Sequence, residues 1–125
     1  MTTAILDEFI DRCDGETFRS AAEVDAACET LGVSESDFIE ALAMRVAERY
    51  AVREMSFDRA DALMNGVHSY YLLKYDGMLP GIADDIYLAF DAGEYYRGAD
   101  GREIDPSEKY TRPEIEAILS AVRNR

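Results

Sequence analysis

The stretch YTRPEIEAILSAV (residues 110–122) carries the clearest helix start in the chain, and its reading points to an all-α fold. Thr111 stands where an N-cap would, and Glu114 can reach back to complete a capping box, while Tyr110 can staple against Ile115. Pro113 falls in the first turn, where its missing N–H costs nothing. Ile115, Ile118, Leu119 and Val122 then recur at helical spacing and are expected to face inward.

The same signals recur along the rest of the chain. A first helix is expected over about residues 4–13, with Ile5, Leu6, Phe9 and Ile10 on one stripe. Ser20 and Glu23 form a second capping box, followed by Val24, Ala27, Cys28 and Leu31 and stopped at Gly32. A third helix starts at Ser34 or Ser36, carries Phe38, Ile39, Leu42, Val46 and Tyr50, and runs to about Glu54. Ser56 caps a fourth, with Phe57, Ala60, Met64, Val67 and Tyr71 on its face and an end near Asp76-Gly77. The fifth follows Pro80, with Asp84 and Asp85 in its first turn, where carboxylates suit the helix dipole. Ile82, Ile86, Ala89 and Phe90 form its stripe, and Gly93 ends it. No period-2 run is long enough for a core strand, and no repeat or interdomain linker is evident. The expected fold is a single all-α domain, residues 1–125, of five or six helices in an irregular bundle.

One connection is longer than the rest. Residues 93–110 hold a Gly and one Asp-Gly turn signal between two short β-capable pieces, EYY and REI, which leaves room for a small hairpin. The segment DPSEK that follows reads as one helical turn capped by Asp105. With Gly101 as the obligatory glycine of a calcium loop, the first, third and last ligand positions become Tyr96, Gly98 and Ser107, so that register fails. No phosphate-binding GxxxxGK[ST] motif occurs. The loop reads as a connector, with Tyr95, Tyr96 and Arg97 as residue types enriched at interfaces.

The formal net charge is −13, which opposes binding to nucleic acid or to an anionic membrane. Residues 1–44 hold eleven acids against two bases, so the N-terminal half is the more negative. Asp7, Asp11 and Glu23 are candidate steering charges for a basic partner on that half. The longest run without a charge, ALMNGVHSYYLL (62–73), is too short to span a bilayer, and the N-terminus lacks a secretory-signal pattern. Cys13 and Cys28 make no zinc spacing and read as buried free thiols of a cytoplasmic protein.

Chemistry finds few parts. Asp58, Asp61, Asn65 and His68 share a polar stripe of about 80° on the fourth helix, the ordinary solvent face of an amphipathic helix. Asp61 and His68 stand roughly 10 Å apart, too far for one ion. His68 is the only histidine, and no GxSxG occurs, so neither a metal or cofactor nor a catalytic triad is expected. The tyrosines say more, since six of eight fall between 70 and 96. In YYLLKY (70–75) the helix becomes apolar nearly all round, and Leu72 and Leu73 point away from the Val67–Tyr71 face. Such an end must be covered by the fifth helix and long loop or by a partner. Tyr70, Leu72, Leu73, Tyr95, Tyr96 and Arg97 are therefore the candidate contact residues. The expected function is a small acidic protein–protein interaction module, of inhibitor or immunity type, for a basic partner. A ligand pocket or enzyme site around His68 and the tyrosines is the alternative, and a homo-oligomer the third reading.

Overall fold

A computed structural model describes residues 3–13 and 18–124. Among the described residues there are six α-helices and no strand. They are α1 (Thr3–Asp11), α2 (Ala21–Leu31), α3 (Glu35–Ala51), α4 (Phe57–Tyr75), α5 (Ile82–Asp91) and α6 (Arg112–Arg123), the last entered through a π-helical turn, Ser107–Thr111.

α3 is the axis. Phe38, Ile39, Leu42, Ala43, Val46, Ala47 and Tyr50 are all buried. At 100° per residue they cover about half the helix circumference, well beyond the stripe of a helix that packs on one neighbour. That breadth lets α3 touch all five other helices. Its fully buried Phe38 and Tyr50 mark the two ends of one continuous core. Phe38 meets Phe9 of α1 edge-on, with ring centroids 5.1 Å apart, and Tyr50 meets Phe90 of α5 in the same way at 5.1 Å. Each such side chain contributes about 1.5–3 kcal/mol by leaving water.

The serine caps form as the spacing predicts. The Ser20, Ser34 and Ser56 hydroxyls accept from Glu23, Asp37 and Arg59 N–H, and the Ser20–Glu23 box closes from both sides. Side chains from distant helices satisfy other ends. Arg59 on α4 donates to the Ile10 and Cys13 carbonyls at the end of α1, both at 2.8 Å. Glu40 on α3 accepts Ile82 N–H at the start of α5, at 3.0 Å. Gly81 stands beside that carboxylate with φ 48°, and a Cβ there would run into Glu40.

Two local expectations are corrected. Residues 94–104 form turns, and the small hairpin does not form. Arg97 reaches back instead, donating to Ala92 O at 2.8 Å and lying over the Tyr110 ring at 3.7 Å, so the loop folds onto its own flanks. Thr111 is not an N-cap. Its backbone is helical (φ −72°, ψ −52°), and it lies completely buried inside a continuous π-to-α helix. Its hydroxyl donates to Ala89 O on α5 at 2.7 Å. The cap lies earlier, at Asp105, whose carboxylate accepts Ser107 N–H at 2.9 Å and Ser107 Oγ–H at 2.7 Å. A turn beginning at Pro106 runs unbroken into α6, so no chain break remains for Thr111 to cap.

Candidate functional site

The C-terminal end of α4 is left bare. Leu73 is 91% exposed and Met78, just beyond the helix, is 76% exposed; Leu72 and Tyr75 are exposed as well. The helix stops at Asp76, which takes a left-handed conformation (φ 51°, ψ 49°) and turns the chain toward Met78. Within this chain, neither α5 nor the 93–110 loop covers Leu73.

The patch rests on a fixed base. Glu35, at the start of α3, accepts from Tyr70 Oη at 2.6 Å, from Lys74 Nζ at 3.0 Å and from Tyr75 Oη. Burial pushes the Glu35 carboxyl up, but the three donors outweigh it and its pKa lies below the ordinary value. Burial and the Glu35 hydrogen bond push the Tyr70 phenol up to about 12, so it stays protonated and donating at neutral pH. Tyr70 is half-buried against Phe18, with ring centroids 5.0 Å apart. Tyr71 and Tyr75 pack together at 4.7 Å. The last two turns of α4 are thus held by polar contacts on one side while Leu72 and Leu73 face solvent on the other. Tyr70 belongs to this base more than to the exposed surface.

The other candidate residues fall elsewhere. Tyr95 and Tyr96 are about half exposed on the long loop, and the Arg102 guanidinium stands 5.3 Å from the Tyr96 ring. Arg97 spends donors inside the chain on Ala92 O and Tyr95 O. The three acidic residues are engaged in ion pairs. Asp7 takes a two-pronged contact from Arg45, at 2.8 and 3.0 Å, and this contact holds its carboxyl below the usual range. Asp11 pairs with Arg49 at 3.2 Å, and Glu23 pairs with Arg19 while closing the Ser20 box. Asp7 and Asp11 therefore tie α1 to α3. Pairing over such sequence separations has no local signal, so the sequence could not reveal it.

His68 stacks flat on Tyr87 of α5, with ring centroids 4.0 Å apart and planes 2° from parallel. Nearby, burial and the Glu94 charge push the Asp91 carboxyl up. Asn65 donates to Glu94 at 3.1 Å, bridging α4 to the turn after α5. Among the described residues no group of three or more His, Cys, Asp or Glu side chains is arranged to hold a metal ion. Cys13 and Cys28 are free, Cys13 buried as expected but Cys28 only half-buried, and burial pushes both thiols up, away from the reactive thiolate form. No helix among the described residues is long and apolar enough to cross a membrane. No protein-family model matches the chain, and neither the curated proteins nor the solved structures contain a match.

Proposed function

We propose that this protein is an acidic protein-interaction module whose bare α4 end docks onto a basic protein partner. One observation carries the reading: Leu73 and Met78 stand 91% and 76% exposed, with Leu72 exposed next to Leu73, on a chain in which 31% of residues are charged. Exposed apolar side chains gathered in one short segment, here residues 72–78, mark interaction sites more than apolar residues scattered singly. The Glu35 network adds pre-organisation, because Tyr70, Lys74 and Tyr75 are already ordered and lose little freedom on binding.

Charge selects the partner. Two copies carrying −13 each repel, which disfavours self-association and favours a basic surface. Partner choice is set by the net field, and Asp7, Asp11 and Glu23 are paired within the chain. Binding without chemistry fits an inhibitor or immunity role, in which an acidic protein masks the cationic face of a toxin or nucleic-acid enzyme. The two unpaired thiols fit a reducing, cytoplasmic setting.

The test compares capture from the native host by immobilised wild-type protein, Leu73→Asp and the surface control Glu116→Lys. A basic protein retained by wild type and by Glu116→Lys, and lost with Leu73→Asp, is the expected result. Leu73→Asp adds negative charge, so loss of a basic partner from it reports the apolar contact and not electrostatics. Equal retention by Leu73→Asp, or retention of acidic proteins only, contradicts the reading.

A further inference from the structure

A second surface, distinct from the α4 end, lies between α5 and α6. The two helices run antiparallel: Thr111, where α6 is entered, donates to Ala89 near the end of α5, and Ile118 and Val122 share a cleft with Ile82 at its start. Two clefts of about 470 and 380 Å³ follow one another along this seam, and Asp85 lines both where they meet. Ile82, Leu88, Ile118 and Val122 are apolar residues of this groove's lining. Leu88 is 53% exposed, on a helix whose Ile86 and Phe90 are completely buried. The charged residues lining the groove are Glu40, Asp85 and Glu114, all acidic; among the described residues no Lys or Arg lines it.

We propose that this groove receives a basic amphipathic helix presented by a partner protein. At 1.5 Å per residue, the ten residues of α5 give a trough about 15 Å long. That accommodates apolar anchors at i, i+4 and i+7, which span about 10 Å, the pattern by which helices dock into grooves. Lys or Arg on the flanks of such a helix meets Glu40, Asp85 and Glu114 along the rim. A second copy of this chain is a poor occupant, because it brings more carboxylates to an acidic rim.

The probe is a fluorescein-labelled Leu/Lys peptide of about 14 residues, with leucines on one helical face, read by anisotropy at about 0.15 M salt. A scramble of the same composition, with its leucines spread around the helix, controls for charge. The amphipathic peptide should bind saturably and the scramble at least tenfold more weakly. Leu88→Glu and Val122→Glu should each weaken the amphipathic peptide at least tenfold although both add negative charge, with melting temperatures checked to show that both variants fold. Leu73→Asp should leave this affinity unchanged, which separates the groove from the α4 patch. Absence of binding, equal binding of the scramble, or unchanged affinity in both groove variants overturns the groove. Weakening by Leu73→Asp alone overturns it too and assigns the peptide to the α4 end.

Discussion

Replacing Thr111 with Val should remove one buried hydrogen bond at almost constant volume. The Thr111 hydroxyl donates to Ala89 O at 2.7 Å, and the residue is completely buried. Ala89 O lies at the end of α5, where carbonyls lose their helical donors. Gly93 N–H, the next helical donor in line, goes to Phe90 O at 3.0 Å instead. Valine therefore leaves a desolvated carbonyl without its donor, which costs about 1–3 kcal/mol. With an unfolding entropy of about 2.1 cal/mol/K per residue, a 125-residue chain loses about 4–11 °C in Tm. Thermal melts and urea titrations with an unchanged m-value measure it. Thr111→Asn sharpens the test. At an N-cap, Asn would be as good as Thr or better. Inside the α5–α6 contact there is no room, since even a Cβ on Gly93 would overlap the Thr111 hydroxyl. Thr111→Asn should therefore cost more than Thr111→Val. Asp105→Ala, which removes the actual cap, should cost about 0.5–2 kcal/mol. A Thr111→Asn protein as stable as wild type would refute the reasoning and restore Thr111 as a cap.

Gly93→Ala should destabilise the protein by about 1–3 kcal/mol through overpacking. An added Cβ would lie 2.9 Å from the Phe57 ring and 3.0 Å from the Ser107 Cα as well as overlapping Thr111; an unchanged urea midpoint would contradict this. Tyr50→Phe should be neutral or stabilising by up to about 2 kcal/mol, because the buried Tyr50 hydroxyl has no hydrogen-bond partner among the described residues; a clear loss of stability would contradict it. Asp7 gives a pH signature. The Arg45 contact depresses its folded pKa, so its contribution is present above the unfolded carboxylate value and lost as pH falls through the folded one. Asp7→Asn should therefore lower Tm at pH 7 and narrow its gap from wild type in acid, whereas parallel Tm curves from pH 2 to 7 would sink the assignment.

Short-range physics made most of the fold legible. The serine caps at 20 and 56 and the left-handed Gly32 are local events that form where their spacing put them, and of Ser34 and Ser36, both open from the spacing, Ser34 is the cap. Thr111 misled because its T-x-x-E spacing is as local as the others, whereas the Ala89 carbonyl that claims its hydroxyl lies on another helix. The breadth of α3 was understated for want of Ala43 and Ala47, small residues whose burial only packing decides. At the candidate site, the excess of apolar residues around Leu72 and Leu73 was readable, with cover expected from the fifth helix and long loop or from a partner; the fifth helix and loop do not provide it, and both leucines are exposed. The α5–α6 groove was not readable, because Ile82, Ile118 and Val122 follow helical spacing and read as core. Leaving them half-exposed is a matter of how far apart two helices settle, which sequence spacing does not encode.

The most direct measurement of the central claim is photo-crosslinking in the native host with benzoyl-phenylalanine at position 73, compared with the same probe at exposed position 116. The account predicts one dominant adduct from position 73, to a protein of basic isoelectric point, and none from position 116. The adduct should fade as competing unlabelled wild-type protein is added and persist when Leu73→Asp protein is added instead. No adduct at position 73, equal labelling from both positions, or an acidic crosslinked partner would contradict it.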